Sequence, residues 1–432
     1  MHSVLEGRAP DQASIDAKVF WRLIPIILAS LIVNQLDKVN VAFAKLEMAP
    51  DIGLSNAAYG LGAGIFFIGY CLFEVPSNMI LHRVGARVWL TRIMISWGIL
   101  SACTLFVTGP LSFYTVRFLL GLAEAGFAPG IMLYVSQWFP PRTRGRIIAA
   151  FMTALPISGV IGAPLSAWLM NSTPHFLPLV GWQWMFLCEG LPAVVCGLIF
   201  WRLVPDRIED AKWLSHEEKT QLKAELGDAD HHHTGSFRAG LVDGRVWLLC
   251  LIYFCFVAAL YGVSFWLPTL IKALGYTTLS QIGWLTAIPY GAAVITMLIL
   301  AWSSDRHHER RMHLAFAGLL GGALLVASVL LRADPIWSFV ALTVAMAGIV
   351  STIPLFWNLP TTFLTGATAA TGFALITSIG NLSGFAAPYL VGLVADATGQ
   401  VSAGLYGLAA AAFVGVVLVW LLPARMLSQK AV

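Results

Sequence analysis

Charge is the scarcest commodity in this chain: Asp, Glu, Lys and Arg together make up 11% of 432 residues, against 58% hydrophobic. A soluble domain carries about a quarter of its residues charged, so that composition excludes a solvated globular surface and points to a chain that lives in lipid throughout. Polar cysteine settings are missing too. The six cysteines, at 71, 103, 188, 196, 250 and 255, all fall within apolar runs, which excludes a disulfide framework or a zinc site and leaves them as small packing residues. The chain up to Asp16 is polar with mixed charge and lacks the basic, apolar, small-residue order of a cleaved leader, so the first apolar run is expected to direct insertion. Enzyme motifs are lacking as well. There is no Gly-x-Ser-x-Gly, and the histidines of His308-Glu309-Arg310-Arg311-Met312-His313 stand five apart, off the one-face spacing of His-Glu-x-x-His. His231-His232-His233 lies in a polar stretch and reads as solvated, so neither a metal nor a cofactor is expected. The net charge of +4 is spread in short clusters between apolar runs, which excludes a nucleic-acid surface.

What is present is a series of long apolar runs. A membrane span takes about 20 such residues, and twelve are found, near 20–44, 57–81, 88–109, 112–137, 146–170, 182–203, 246–271, 279–302, 312–331, 336–362, 370–394 and 402–423. Lys and Arg gather on alternate sides: Arg8, Lys18 and Arg22; Arg83, Arg87 and Arg92; Arg142, Arg144 and Arg146; seven around the central loop; Arg306, Arg310 and Arg311; Arg425 and Lys430. Lys45, Lys272 and Arg332 fall on the other side, a bias that puts both termini in the cytoplasm. The polar stretch from Pro205 to Arg245 divides the spans six and six. The expected architecture is all-α, with a first six-helix bundle over residues 1–203, a linker over 204–245, and a second bundle over 246–432. Within the linker, Ser215 and Glu218 have the spacing of a capping box, so a short surface helix is expected there.

Charges inside the spans are costly, roughly 3 kcal/mol each on the lenient scale, and usually face a bundle interior or a watery cavity. The first span holds Asn34-Gln35-Leu36-Asp37-Lys38-Val39-Asn40, and the fourth holds Arg117 and Glu124, seven apart and so nearly on one helix face. Lys38 lies seven residues from Lys45, and Arg117 seven from Pro110; at the helical rise both are ~10 Å below the same surface, with Glu124 ~10 Å deeper again. Positive charge over titratable carboxyls suits an anion arriving with protons. Glu74, beside Pro76, reads as structural, and Glu189 and Asp396 read as interface or helix-end residues. The second half has no charge deep in its spans. It offers Tyr261, Trp266, Tyr290, Trp357, Asn358, Ser378 and Asn381, of which Asn358 and Asn381 are the best placed to meet substrate hydroxyls.

Both halves carry a basic turn between their second and third spans, Leu81-His82-Arg83-Val84-Gly85-Ala86-Arg87 and Ser303-Ser304-Asp305-Arg306 with Arg310 and Arg311. These resemble the loop signature of the major facilitator superfamily, with His82 where an acid is usual. Asp37-Lys38-Val39-Asn40, the run from Gly69 to Asn78, Arg117 to Glu124 and Gly181-Trp182-Gln183-Trp184-Met185-Phe186 resemble the anion:cation symporter family, closest in look to its tartrate-type members. The resemblance implies a proton-coupled importer of a small organic anion in a bacterial inner membrane, alternating between two states and working as a monomer. It implies further that Lys38 holds a substrate carboxylate, that Asp37 and Glu124 carry protons, and that Arg117 tunes the neighbouring acid. Tyr70, Tyr261, Trp357, Asn358 and Asn381 complete the expected binding set. The family usually has Arg where this chain has Lys38, which keeps the charge and loses the planar fork. Gly159, Gly162 and Pro164 loosely resemble an antiporter glycine-proline motif, so export by proton antiport is the alternative.

Overall fold

The computed structural model describes residues 12–173, 178–226, 243–360 and 366–422. The histidine run 231–233 and the basic residues Arg8, Arg425 and Lys430 lie outside them. All regular structure among the described residues is helical: α1 (Gln12–Asp51), α2 (Asn56–Val84), α3 (Ala86–Ala102), α4 (Pro110–Glu124), α5 (Phe127–Trp138), α6 (Pro141–Met152), α7 (Ala154–Asn171) and α8 (Gly181–Leu203) form the first half. A short helix, α9 (His216–Leu226), follows; then come α10 (Gly244–Ala273), α11 (Leu279–His307), α12 (Arg311–Leu330), α13 (Pro335–Trp357), α14 (Gly366–Thr398) and α15 (Gly404–Leu421). Among the described residues, twelve helical stretches are long and apolar enough to cross a membrane. Large apolar side chains such as Leu72, Trp168, Leu198, Trp284, Ile295 and Leu390 are exposed along them, as a lipid-facing surface requires.

Two spans expected as single helices are broken. The fourth stops at Glu124, passes through an extended Ala125 and a left-handed Gly126 (φ 87°), and restarts at Phe127. The cause is contact with α2: Ser77 donates to the Ala125 carbonyl at 2.7 Å, and a Cβ at Gly126 would fall 2.3 Å from the Ser77 hydroxyl. Only glycine fits that conformation so close to a neighbour. Glu124 therefore ends a half-helix, the kind of broken helix that transporters use at their sites. The fifth span is interrupted at Thr153, which caps α6 through its own backbone N–H and begins α7.

The two halves meet tightly at the end where α1 finishes and α2 begins. There α2 and α14 approach backbone to backbone, with Gly60 against the Pro388 carbonyl and Gly392 against that of Asn56. Asp396, at the end of α14, accepts from the backbone N–H groups of Asn56 and Ala57 at 3.1 and 2.8 Å, so a carboxylate of the second half caps a helix of the first. Lys45 is not the edge marker expected: α1 runs on to Asp51, and the Lys45 ammonium is buried against Asn56 (3.0 Å), Thr269 (3.4 Å) and the rings of Tyr59 and Trp266. Tyr59 donates to the Phe265 carbonyl and Trp266 to that of Pro388, which closes this end of the molecule.

Candidate functional site

The buried charges of α1 and α4 converge. Lys38 is 8% exposed and its Nζ lies 2.9 Å from Glu124 Oε1, across two helices. The same ammonium is 5.3 Å from the centre of the Tyr70 ring, a cation–π contact, and is the cation acting on Glu74 one turn further along α2. Arg117, fully buried, sits over the Phe66 ring at 4.9 Å and donates to the Ala63 carbonyl at 3.4 Å. Its Nε has no partner, while Asp37 and Glu124 both lie within its electrostatic range. Close packing makes this possible: a Cβ on Gly121 would meet the Phe66 carbonyl, and one on Gly69 the Phe118 carbonyl, so glycines bring α2 and α4 together around the arginine.

Asp37 is held by its own set of neighbours. Ser101 on α3 donates to Oδ1, and Asn40 donates to the same oxygen at 3.2 Å, leaving Oδ2 without a partner. Neither Ser101 nor Asn40 was singled out in the sequence reading, because the first is 64 residues away and the second is one amide among three. The levels expected from helical rise are modified in one respect. Lys38 spans the distance down to Glu124 and pairs with it directly, so the cation and the deeper acid are partners.

Around this cluster the second half supplies rings. Tyr261 on α10 lies 4.6 Å from Phe67 and is within electrostatic range of Glu124, as Tyr70 is. Tyr253, missed in the sequence, sits within reach of Glu74 and packs edge-on against Trp357 at 5.2 Å. Asn381 is on α14 one turn from Ser378, whose carbonyl receives the Cys71 thiol at 3.7 Å, and one turn from Gly384, which backs onto Phe67; this face is therefore turned to α2. Asn358 caps the end of α13, where its backbone carbonyl accepts from Arg310 at 2.7 Å. One expectation needs correction. Glu189 is not a helix-end residue: it is 2% exposed and eight residues inside α8. Glu74 is drawn into the charge cluster, with Oε2 unpartnered. A small cavity of about 20 Å³ lies on the seam between halves, lined by Asn40, Gly159 and Ser166 on one side and Ser264, Thr286 and Tyr290 on the other. No group of His, Cys, Asp and Glu able to hold a metal occurs among the described residues.

Residues 27–388 match the family model described as Major Facilitator Superfamily. The chain belongs to that superfamily. It is a multi-pass membrane transport protein and not an enzyme. Among major facilitator relatives, one from Agrobacterium vitis named as a candidate tartrate transporter is 46% identical over 414 residues, covering 94% of this chain and 92% of the relative. A protein of Acinetobacter baumannii named quinolone resistance transporter is 43% identical over 417 residues, 95% of each chain. The crystal structure of a D-xylose-proton symporter superposes with a TM-score of 0.76 over 93% of this chain and 97% of the symporter, at 14% identity, a likeness of fold alone.

Proposed function

We propose that this protein imports a small hydroxylated organic anion together with protons across a bacterial inner membrane. Residues 1–203 would rock against 246–432 about the linker 204–245, with both termini cytoplasmic and the chain acting as a monomer. The observation that carries the reading is the buried Lys38–Glu124 pair with Arg117 and Asp37 beside it. A buried ion pair is poor value for stability, often no better than apolar residues of the same volume. Its worth here lies in exchange. A proton on Glu124 releases the Lys38 ammonium; a substrate carboxylate then takes the place of Glu124; loss of the substrate returns Lys38 to Glu124 and expels the proton. Arg117 holds the field around Asp37 and Glu124, and Tyr70, Tyr261, Trp357, Asn358 and Asn381 would shape the neutral side of the pocket. The A. vitis relative's name makes tartrate the first anion to try.

The second reading is proton-driven export, favoured by the name of the A. baumannii relative and by Gly159, which lets α7 press against the Tyr290 ring. Vesicles separate the two. Right-side-out vesicles with an inward proton gradient and no sodium are expected to accumulate labelled tartrate, and a proton ionophore to abolish it. Sodium-dependent uptake that ignores the ionophore would overturn the import reading, and accumulation of a quinolone in everted vesicles without any tartrate movement would establish the other.

A further inference from the structure

Glu189 is a buried acid for which the exchange just described has no use. Its Oε1 accepts from Ser166 on α7 at 2.7 Å, and its Oε2 has no partner. A carboxylate is an acceptor only, so an oxygen sealed from solvent and unpaired asks for a donor. Between Glu189 and Asp37 stands the Asn40 side chain, which donates to Asp37 at 3.2 Å, reaches Glu189 as well, and leaves its own Oδ1 unpaired. Three acceptor atoms, Asp37 Oδ2, Asn40 Oδ1 and Glu189 Oε2, therefore lack donors. The groups facing Glu189 are few. Asp37 comes from α1 and Ser166 from α7; α3 offers the backbone and methyl of Gly98 and Ala102 against Gly190; the turn carrying Cys103 meets α8 at Gln183; and Cys188 is its neighbour in the chain. The charged one is Asp37.

We propose that Glu189 is a further proton-binding residue of the transport cycle, coupled to Asp37 through Asn40, so that one proton is held by one or the other carboxyl. This rests on the proton-coupled reading above. When the proton moves, the O–H bond at Asp37 breaks and one at Glu189 forms, and the pair keeps a single negative charge. Asn40 suits this role because its NH2 serves whichever carboxylate is charged and its carbonyl accepts from the one that is protonated. Ser166 and Asn40 also line the 20 Å³ seam cavity, which has room for about one water, so the pair borders the surface on which the halves slide.

The test reads the carboxyl itself. Purified protein in lipid nanodiscs is titrated with pH while the infrared band of protonated carboxylic acid is followed. Glu189→Gln is expected to remove one titrating band, and Ser166→Ala, which leaves the carboxyl in place, to shift the midpoint of that band. Asp37→Asn is expected to shift it too. A band set unchanged by Glu189→Gln, or midpoints unmoved by both Ser166→Ala and Asp37→Asn, overturns the proposal. In proteoliposomes, the pH midpoint of labelled tartrate uptake is expected to shift in Glu189→Gln while the proton count per tartrate stays the same, because Asp37 still holds the shared proton; a purely structural role would lower the melting temperature and leave the midpoint where it is. Should the parent show no proton-coupled tartrate uptake, the transport reading fails, and the infrared titration still decides Glu189.

Discussion

The two halves share a fold and differ in what they bury. Within its spans the first half buries Asp37, Lys38, Lys45, Glu74, Arg117, Glu124 and Glu189; the described second half buries no Asp, Glu, Lys or Arg and, of polar groups, chiefly hydroxyls, from Ser264 and Thr286 to Ser383. Most of those hydroxyls are spent on their own helices. Thr286 donates to the Ile282 carbonyl, Ser351 to Ala347 and Ser383 to Gly380, each at 2.6–2.7 Å, so they cost little and recognise nothing. Ser264 is different, because it faces the seam cavity within reach of Tyr290. In the first half the proportion is reversed, with Asp37, Glu74, Arg117 and Glu189 each keeping an unpaired atom. A membrane protein has no structural reason to concentrate ionisable groups in one bundle of two. The difference reads as a division of labour, with charge and protons handled by the first half and neutral recognition by the second.

The strongest way to break that division is Glu124→Gln. The amide keeps the shape and can still accept from Lys38 but cannot carry a proton, so accumulation of tartrate against a gradient is expected to vanish while exchange of labelled for unlabelled tartrate persists. Accumulation that survives would remove Glu124 from coupling. Next in size is Lys38→Ala, which leaves Glu124 buried without its partner and removes the cation for the substrate. A loss of about 2–5 kcal/mol is expected for a truncated buried charge pair, at least tenfold in tartrate Kd by equilibrium binding. Lys38→Arg is expected to keep binding and to shift preference among acids, because a planar fork grips a carboxylate with two bonds. A Kd unchanged in Lys38→Ala would take the first half's cation out of the site.

How far these groups could be found from sequence follows from what each one's neighbours are. Asp37, Lys38, Arg117 and Glu124 stood out because they are charges in apolar runs, and a helix fixes their spacing whatever it packs against. Glu189 is equally buried, yet it lies in the first half of its run, and the hydroxyl that donates to it comes from another helix. Lys45 was misread for the opposite reason. It sits where a span was expected to end, and only the packing of α1 against α2 and α10 shows it enclosed by Tyr59 and Trp266. The break at Gly126 had a local signal, Gly126 with Pro129 just after it, but whether glycine bends a helix there depends on Ser77 pressing from α2. Asn358 looked like a cavity residue by composition. Its position at the cap of α13, next to Arg310, depends on where that helix ends.

A smaller effect tests the second half. If Asn381 meets a substrate hydroxyl, Asn381→Ala removes one hydrogen bond worth about 0.5–1.5 kcal/mol, and tartrate binding is expected to weaken by roughly two- to tenfold on that scale. Succinate, with the same two carboxylates and no hydroxyls, is expected to bind the variant as it binds the parent. Equal weakening for both acids would mean that the second half does not read hydroxyls through this residue.

The smallest effect concerns where the linker belongs. Helix α9 is fastened to the first half: Glu218 pairs with Lys18 of α1 and exchanges hydrogen bonds with Ser215, while Trp213 stacks on Trp138 at 6.0 Å. The Lys18 ammonium first, and then the Ser215 backbone N–H, hold the Glu218 carboxyl below the usual carboxylate range. A carboxyl depressed in the folded state lends stability above its unfolded pKa, about 4.3, and that stability drains away as pH falls through the lower folded value. Lys18 is half-exposed, so solvent screens the pair and its worth is about 0–1 kcal/mol. Glu218→Gln is therefore expected to lower the melting temperature slightly at pH 7, with the gap to the parent closing as the pH is brought below about 4, and to leave tartrate Kd unchanged. A gap that persists in acid would show that the Glu218 charge is not what ties the linker to the first half, and a change in Kd would show that the linker reaches the site.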